Sequence, residues 1–553
     1  MNKEPARRPV SRAGLPDPLG RAFALHGEAR RRGMPVAEVA SERAERAEAA
    51  LSRRQLIGAA GAVAAGAAAA GLAVPTRAAA DTPPAPSGSG SGPRVVIVGA
   101  GLAGLRCAHQ LWTQGRPIAA TVYEADTGHV GGRCWSLRGF FDNGAVSEHG
   151  GSFVSSSDTS VLALARRFGL KREYADGGAL DDGDYAGWIN GARYDGDAQQ
   201  NDWVAHAYDA FAASYAAMGT PRYNSSTAEA RRLDQLSCLD YLAGIGLPAG
   251  SALGQLIRSI QLQSGGEPAA ASSLGMIGFL GGSATFDAGG DDFDEKYHLV
   301  GGNDQLVSGM VGELPAGTVQ QGHELVAVGR AGNGSYTCTF RHGGSTVTVG
   351  ADHLVLALPF STLRNVDLSG AGLSGLKQTA IQQQGMGQNA KLVLQLTRKT
   401  WPALGYNGIS NTGPSGYQTA WDGSVNLGAK GGPALLVNFP GGDGARTGLT
   451  GAAHGPAPAA DVQSLLSQIE HVFPGTSAAY NGRAYEDHWS LDPWHLGAYH
   501  YYRTGQYTSI AGYEGVQEGR IHFAGEHTDV DNSTLDSALA SGERVATEVA
   551  AQV

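Results

Sequence analysis

Short apolar runs alternate with stretches of helical periodicity along much of the chain, which is the pattern of an α/β protein. The first apolar run, Val95–Val98, is followed at once by the helical stretch Leu102–Gln114, and a second run covers Ala119–Tyr123. Strand, helix and strand at this spacing predict two parallel strands joined by a crossover helix. The predicted fold class is therefore α/β, with its first strand starting near residue 94.

Three glycines fill the turn between that strand and its helix. Gly99, Gly101 and Gly104 have the G-x-G-x-x-G spacing, and Glu124 ends the second strand. Such glycines permit a tight bend, a close approach of a pyrophosphate to the helix N-terminus and close helix packing, while the acidic residue accepts ribose hydroxyls. The pattern predicts a Rossmann-like dinucleotide-binding domain. The alternative is an ordinary glycine-rich turn, since 82 of the 553 residues are glycine.

The later pattern predicts a second, mixed set of elements. Helical stretches cover 160–168, 202–217, 233–244 and 253–263, and a glycine turn with a helix follows at 300–314. Strand-like runs cover 319–328, 335–341, 345–349, 391–396 and 434–439, and further helices cover 459–472 and the region after Leu535. Neither an internal repeat nor a transmembrane span is predicted after residue 93.

The first 80 residues have the composition of a targeting segment. The run Ser52–Ile57, Ser-Arg-Arg-Gln-Leu-Ile, resembles a twin-arginine export signal, and an alanine- and glycine-rich stretch leads to an A-x-A-like cleavage pattern ending at Ala80. We interpret residues 1–80 as a signal region and residues 81–93 as a flexible linker. A membrane anchor is the alternative, although alanine and glycine favour insertion only weakly. Translation from Met34 instead of Met1 is a further alternative, since it would shorten the signal region to a more usual length. The prediction is a protein exported by the twin-arginine pathway, without stable membrane association after cleavage.

Composition narrows the class of protein. With 42% hydrophobic and 17% charged residues the chain is globular, and its length suits two or more domains. Residues 1–80 hold 13 Lys and Arg against 7 Asp and Glu, a charge of +6. Since the whole chain has a net charge of −10, residues 81–553 carry −16. So acidic a region disfavours a nucleic-acid partner. The four cysteines lack the spacing of a zinc site, so we expect neither a metal nor a disulfide framework. They are Cys107, Cys134, Cys238 and Cys338.

Further motifs follow the glycine turn in a fixed order. They are Val130–Cys134 (VGGRC), Glu148–Val154 (EHGGSFV), His298–Leu306 (HLVGGNDQL), Asn389–Leu396 (NAKLVLQL) and Gly519–Thr528 (GRIHFAGEHT). In this order they resemble the FAD-dependent amine oxidase family, which includes monoamine and polyamine oxidases and, more distantly, L-amino-acid oxidases. The resemblance covers residues 94–550. It implies a GR2-type FAD-binding domain formed by 94–160, 296–378 and 505–550, and an interwoven α+β substrate domain formed by 161–295 and 379–504.

An arginine and a second phosphate-binding segment favour FAD over NAD. The guanidinium of Arg133 is suited to pair with a pyrophosphate, and Ala524–Glu526 offers a second segment from the far end of the chain. The resemblance implies that the backbone of Val326 contacts the adenine and that the helix beginning at Leu535 stabilises negative charge on the flavin. Ala498 stands where animal monoamine oxidases carry a flavin-bonded cysteine, which implies non-covalent FAD. The implied cofactor-binding residues are Gly99, Ala100, Gly101, Gly104, Glu124, Ala125, Gly132, Arg133, Gly150, Gly151, Ser152, Phe153, Val326, Trp489, Gly525, Glu526, Thr534 and Leu535.

Two residues, Lys391 and Tyr499, are implied to take part in catalysis. Lys391 interrupts an apolar strand, where a lysine is costly to bury without a partner; in the family the matching lysine holds a water against flavin N5. The alternative is a lysine on the solvent face of the strand. Tyr499 matches the first tyrosine of the family's aromatic cage, whose ring faces bind amines, and core packing is its alternative. The implied substrate-binding residues are Phe153, Trp494, Tyr499 and Thr534.

Two departures from the family's pattern bear on the substrate. Thr534 replaces a frequent second cage aromatic, so a hydroxyl is offered in place of a ring. Phe153 occupies the position where L-amino-acid oxidases commonly carry the arginine that clamps the substrate carboxylate, which favours amines over amino acids. A run of acidic residues could attract the far ammonium of a diamine or simply form a solvated loop. The run consists of Asp291, Asp292, Asp294 and Glu295.

The sequence therefore predicts a FAD-dependent amine oxidase. Hydride transfer from the carbon beside the amine to flavin N5 gives an imine, which hydrolyses to an aldehyde or ketone and ammonia or an amine, while O2 is reduced to H2O2. Three alternatives remain: an L-amino-acid oxidase or monooxygenase, a flavin desaturase of a non-amine substrate, and a flavoprotein without oxidase turnover. The predicted partners are a small-molecule amine and O2. The oligomeric state stays open, with a homodimer among the options.

Overall fold

The computed structural model describes residues 92–174, 184–282, 295–424, 432–530 and 533–553. The predicted signal region, the predicted linker up to residue 91 and the acidic residues Asp291, Asp292 and Asp294 lie outside these ranges. No helix within the described ranges is both long enough and apolar enough to span a membrane.

A five-stranded parallel sheet carries the glycine turn. Its strands, in spatial order, are Ile521–Phe523, His353–Leu356, Val95–Val98, Ala120–Tyr123 and Val319–Gln320. The strand Val95–Val98 is buried along its whole length, as expected of a parallel sheet covered on both faces. Val95 and Ile97 face a core shared with the helices Leu102–Thr113, Gln305–Glu313 and Leu535–Ala550.

A three-stranded antiparallel sheet covers the other face. Its strands are Glu324–Arg330, Tyr336–His342 and Ser345–Ala351. Val96 and Val98, which point away from the helices, share a core with Phe340 and other apolar side chains of this sheet. The parallel sheet is thus enclosed by helices on one side and by strands on the other, and the predicted α/β class is confirmed.

An eight-stranded sheet forms the second large unit. Its strands, in spatial order, are His454–Pro456, Tyr480–His488, Ala390–Leu396, Ala434–Asn438, Thr419–Asp422, Tyr406–Thr412, Asp184–Ile189 and Ala192–Arg193. All neighbours are antiparallel except Tyr406–Thr412 and Asp184–Ile189. Every residue of Ala390–Leu396 is buried, so both faces of the sheet are covered at its centre.

The remaining elements are short ladders and helices. The ladders pair Ser136–Leu137 with Ser147–Glu148, Arg172–Tyr174 with Tyr297–Leu299, and Gly385–Met386 with His500–Tyr501. The remaining α-helices are Thr159–Arg167, Gly196–His206, Tyr208–Met218, Ala228–Asp234, Cys238–Gly244, Ala252–Gln263, Ser273–Gly282, Phe360–Leu363, Gly375–Gln383, Gly442–Thr447, Ala459–Ile469 and Thr476–Ala479. Single 3-10 turns cover Asp142–Gly144, Pro402–Leu404 and Glu526–Thr528.

Two predicted helices are each divided in the structure. The stretch 202–217 belongs to two helices that meet at Ala207, whose φ of −134° is not helical. The stretch 233–244 is divided because Ser237 caps a new helix: its hydroxyl accepts the N–H of Asp240, whose carboxylate accepts the N–H of Ser237. Ser273–Gly282 escaped prediction because apolar side chains occur all round it and leave no polar face.

Candidate active site

The predicted dinucleotide turn has the geometry that its glycines require. Gly99 has a φ of +101°, and a Cβ on Gly104 would lie 2.0 Å from the Gly99 carbonyl oxygen. Gly99 does not accept a side chain because of its positive φ and because a Cβ would lie 2.8 Å from the Ala357 carbonyl oxygen, and Gly104 does not because strand and helix are in backbone contact there. A Cβ on Gly101, in contrast, would find no neighbouring atom nearer than 4.0 Å. Space is therefore left beside Gly101, where a pyrophosphate is expected to approach the helix N-terminus.

Glu124 holds this turn together through two hydrogen bonds to the backbone. Its carboxylate accepts the backbone N–H of Ala100 at 2.7 Å and that of Asp126 at 2.9 Å. Ala125 is the residue between Glu124 and Asp126 in the chain. Burial raises the pKa of Glu124, although both hydrogen bonds lower it. Each carboxylate oxygen keeps a second acceptor direction for a hydroxyl. The ribose contact stays a prediction, and sequence reasoning missed the hydrogen bonds by which Glu124 braces the turn.

Arg133 and Glu526, from opposite ends of the described chain, form an ion pair of 3.0 Å. His500 lies on the other side of the same carboxylate, with its Nδ1 2.7 Å from Glu526 Oε2. Burial raises the pKa of Glu526, but His500 and Arg133 together hold it well below its usual range. Arg133 and His500 therefore flank one carboxylate, and the guanidinium of Arg133 is of the kind that pairs with a pyrophosphate. His500 gave no signal in the sequence.

Two glycine pairs pack around these residues. Gly132 and Gly525 both adopt positive φ, at +60° and +138°. A Cβ on Gly150 would lie 2.0 Å from the Arg133 carbonyl oxygen, and one on Gly151 would lie 2.5 Å from a methyl group of Leu535. We call the backbone surface formed by 99–104, 131–133, 150–152 and 525–526 the FAD cradle.

The helix Leu535–Ala550 begins against this cradle. Thr534 is its N-cap: the Thr534 hydroxyl accepts the N–H of Ser537 at 3.1 Å, and the Thr534 N–H donates to the Ser537 hydroxyl at 2.8 Å. The Thr534 hydroxyl, which we predicted to face a substrate, thus already forms a hydrogen bond at the start of the helix. Its contact with substrate stays a prediction, as does the helix's contact with the flavin.

Lys391 is buried, with 4% of its surface exposed. Its ammonium donates to the carbonyl oxygens of Glu148 at 3.0 Å and Gly150 at 2.5 Å, and to the Ser152 hydroxyl at 2.7 Å. Burial lowers the pKa of Lys391 to about 8, against the opposing charges of Asp487 and Glu148. All three ammonium protons therefore have acceptors. A water between Lys391 and a flavin requires the Ser152 hydroxyl to turn away or the lysine to become neutral.

Strand register places Lys391 on the same sheet face as two aromatic rings. Lys391 and Val393 alternate with Leu392, and Val393 faces Val437, which in turn faces Trp421. Phe439 lies one residue beyond this strand, but its N–H still donates to the Thr419 carbonyl oxygen at 2.9 Å, so the alternation continues and Phe439 shares the face of Val437. The ring of Trp421 lies 5.6 Å from that of Phe153 and 5.5 Å from that of Phe439, between centroids. We call these three partly exposed rings the aromatic wall.

The other predicted aromatics lie on the segment after the strand Tyr480–His488. Tyr499 donates its hydroxyl to the Gln263 carbonyl oxygen, and burial raises the pKa of Tyr499, so the phenol stays neutral. Trp489 is buried and donates its Nε1–H to the His149 carbonyl oxygen at 3.0 Å, next to Gly150. Trp494 is partly exposed, with its backbone N–H on Asp492. Ala498 is buried and carries only a methyl group.

Val326 lies in the three-stranded antiparallel sheet, at a bulge between the paired residues Leu325 and Ala327. Its carbonyl oxygen accepts the N–H of Asp367 at 2.9 Å. Because a bulged residue leaves the ladder, its backbone can face a ligand. Contact with an adenine stays a prediction.

All four cysteines are buried free thiols. Burial raises the pKa of the Cys338 thiol to about 12, which suppresses thiolate chemistry. No disulfide joins them, as their scattered positions in the sequence indicated.

Trp421, Phe439 and His500 are the site residues that sequence reasoning missed. Phe439 ends a predicted strand, and alternation within that strand could have placed it on the Lys391 face. Trp421 and His500 carry no comparable signal, because their places depend on pairing between distant segments.

Comparison with known proteins agrees with this geometry. Residues 102–550 match the family described as flavin containing amine oxidoreductase. The chain is 25% identical to the nicotine dehydrogenase of Pseudomonas putida over 478 residues, which cover 82% of this chain and 88% of that protein. It is 28% identical to the flavin-dependent L-tryptophan oxidase RebO of Lentzea aerocolonigenes over 249 residues, 44% of this chain and 50% of that protein. The chain thus spans about half the length of the L-amino-acid oxidases that it matches over some 250 residues.

A solved structure supports the fold. Putrescine oxidase bound to putrescine superposes with a TM-score of 0.68 at 22% identity, over 83% of this chain and 99% of that one. The open space at Gly101, the basic side chains Arg133 and His500 beside Glu526 and the paired glycines fit FAD as the cofactor of such a fold. The chain therefore belongs to the flavin-containing amine oxidoreductase family, with FAD as its cofactor.

Proposed function

We propose that the protein is an oxidase of small amines that uses non-covalent FAD. The substrate's C–N bond is oxidised to an imine, water converts the imine to an aldehyde or ketone and ammonia or an amine, and O2 is reduced to H2O2. One observation carries the choice of amines. Phe153, at the position of an amino-acid oxidase's carboxylate clamp, packs against Trp421 on the sheet face that bears Lys391.

The residues of this chain divide the work between binding and proton control. Bound flavin supplies the hydride acceptor. The aromatic wall offers apolar faces that hold the body of an amine and keep water out, and ring faces also attract a cationic amine on arrival. The Tyr499 hydroxyl is committed to Gln263, so this residue contributes its ring face and not a base.

Lys391 controls a proton close to the cradle. Its pKa of about 8 lets it hold or release a proton near neutral pH, and its acceptors Gly150 and Ser152 belong to the predicted FAD-binding loop. A group with a pKa near the working pH is suited to both proton uptake and release. We assign to Lys391 the proton exchange that accompanies oxidation of reduced FAD by O2.

A peroxide-coupled screen of purified, FAD-loaded protein tests the proposal. Monoamines with cyclic or aromatic bodies, linear diamines, polyamines and L-amino acids are compared at equal oxygen concentration. We expect peroxide from amines, with Lys391→Met slowing reoxidation of the reduced flavin. Turnover of L-amino acids alone would reject the amine assignment. Amine-independent flavin chemistry, or reduced flavin that O2 scarcely reoxidises, would support the desaturase or electron-transfer alternatives.

An L-amino-acid oxidase is the second candidate. The names of the matching RebO and of a second L-amino-acid oxidase relative favour it, at 28% and 25% identity over about half of each protein. Phe153→Arg separates the two candidates. For an amine oxidase this change weakens amine turnover, and for an amino-acid oxidase with another clamp it leaves the preference for amino acids in place.

We also propose export through the twin-arginine pathway, which rests on the sequence alone: the Ser52–Ile57 pattern, the alanine- and glycine-rich stretch after it and the A-x-A-like pattern ending at Ala80. Paired Arg53→Lys and Arg54→Lys changes are expected to keep the protein inside the cell. N-terminal mapping of the exported form should find the start at Asp81. A mature protein that retains residues before Ala80 would contradict the cleavage site.

A further inference from the structure

Charged side chains of alternating sign follow one end of the eight-stranded sheet, on the face that bears Lys391. His454 faces Asp487 across one strand pair, and Asp487 faces Lys391 across the next. Directly opposed residues of antiparallel strands share a face. Asp492 extends the series beyond His454. We call Lys391, Asp487, His454 and Asp492 the charge row.

Hydrogen bonds connect the outer part of this row. Asp487 Oδ1 lies 2.6 Å from His149 Nδ1 and 2.7 Å from His454 Nδ1, and His454 Nε2 lies 3.0 Å from Asp492 Oδ2. A ring with a carboxylate on each nitrogen donates twice, which is the bonding of an imidazolium. Burial lowers the pKa of His454, but Asp487 and Asp492 outweigh it and raise the value to about 9.

The group His149, His454 and Asp487 has the residue types of a metal site, and their donor atoms lie within 4.8 Å of one another. The 2.6 and 2.7 Å separations are those of hydrogen bonds, however, and both nitrogens of His454 are occupied by carboxylates. An ion would have to displace protons from each contact. The arrangement therefore fits a protonated His454 between two carboxylates better than it fits a metal ion.

The surroundings define which charges act on Lys391. Asp487 is 1% exposed and Glu148 is buried, and these are the two carboxylates that oppose the loss of the Lys391 proton. Glu148 has its own partner, His298, at 2.8 Å. Asp487 has His149 and His454. The attraction between Asp487 and the Lys391 ammonium thus depends on how far the two histidines offset the negative charge of Asp487.

Charged and aromatic side chains surround His454. Asp487 and Asp492 hold its two nitrogens, the His149 ring lies 5.6 Å away, and Asp492 also lies 3.0 Å from His495 Nδ1. Trp135 and Trp489 cover its ring at 5.1 and 4.9 Å. Among these, the doubly bonded His454 is the cation best placed to offset Asp487.

We propose that His454 is a positioning residue for Lys391: its imidazolium, fixed between Asp487 and Asp492, sets how strongly Asp487 retains the proton of the lysine. The inference rests on the role proposed for Lys391. Two opposite effects follow from the signs. Removing the His454 charge leaves Asp487 uncompensated and holds the Lys391 proton to higher pH, whereas removing the Asp487 charge releases that proton at lower pH.

The midpoint potential of bound FAD, measured against pH, tests this without turnover. In the native protein we expect the slope of midpoint potential against pH to change near pH 8, and we expect no such change in Lys391→Met. The slope change moves upward by about one pH unit in His454→Gln and downward by a similar amount in Asp487→Asn. His471→Gln is the matched control, since His471 is exposed and stacks on Trp188. Shifts in the same direction, or no shift in either variant, would overturn the proposal.

A second measurement protects the test against variants that fail to fold. The ¹⁵N spectrum of histidine-labelled, FAD-loaded protein should contain an imidazole that stays doubly protonated above pH 8 and is lost in His454→Gln, and His500, whose pKa Glu526 also raises, is assigned separately by its persistence in that variant. If every histidine titrates near the ordinary value of about 6.5, the proposal is wrong. Because neither readout needs a substrate, an inactive substrate screen would count against the proposed function and leave this result standing.

Discussion

In the FAD cradle, positions are set by the backbone: Gly104 touches Gly99, Gly150 touches Arg133, and the space beside Gly101 is left open. In the aromatic wall, positions are set by side chains on separate segments, Phe153, Trp421 and Phe439, which meet through loop packing and strand pairing. Backbone contacts leave a spacing of glycines in the sequence, whereas a wall of side chains leaves none. A substitution should therefore act on the fold or the cofactor in the first region, and on substrate choice in the second.

The largest effect is expected where helix and strand touch. In Gly104→Ala the new methyl group would lie 2.0 Å from a backbone oxygen, which cannot move aside without displacing the strand. We expect a loss of about 3 kcal/mol or more in the free energy of unfolding. Denaturant unfolding of the FAD-free protein measures it. Gly115→Ala is the control, since nothing lies within 4 Å of its added Cβ and its φ is ordinary. Equal stability of both variants would contradict the contact.

The next effect separates cofactor binding from folding. Gly101 has a φ of −72°, and an added Cβ would find no neighbour nearer than 4.0 Å, so Gly101→Ala should fold like the native chain. The methyl group would occupy the space beside the helix N-terminus where the pyrophosphate is expected. FAD affinity should fall on the order of 100-fold. Flavin content and a fluorescence titration of the FAD-free protein measure it, and native affinity would show that the phosphate lies elsewhere.

The same contrast explains what could be predicted from the sequence. The turn at Gly99–Gly104 and the helix after it follow from local spacing, and Lys391 stood out because a lysine is rare in an apolar strand. Trp421 could not be found, because its neighbour Phe153 is distant in the chain and their meeting depends on tertiary packing. His454 and Asp487 are likewise separated by 33 residues and joined by strand register. The divided helix at Ser237 shows that a local cap can override apolar periodicity.

A smaller effect is expected from the aromatic wall. Trp421→Leu removes a ring that contacts both Phe153 and Phe439, so amines with cyclic bodies should lose about 10- to 100-fold in kcat/KM, mainly through KM. Short linear amines, which cover less of the wall, should lose less. Steady-state peroxide assays measure both. Trp188→Leu, on a strand farther along the same sheet, is the matched control. An equal loss for all amines would indicate a general disturbance in place of a specificity role.

The last effect tests the charge row through stability. The folded-state pKa of His454, about 9, lies above its unfolded value of about 6.5. The stability that its proton contributes is therefore fully present below pH 6.5 and is lost as the pH rises through 9. We expect a decline of about 2–3 kcal/mol between pH 6 and 9, because each unit of pKa difference between the folded and unfolded states contributes about 1.4 kcal/mol. Denaturant unfolding of the FAD-loaded protein at several pH values measures it. His454→Gln should flatten this dependence while His471→Gln keeps it, and a native stability that rises over this range would contradict an imidazolium between Asp487 and Asp492.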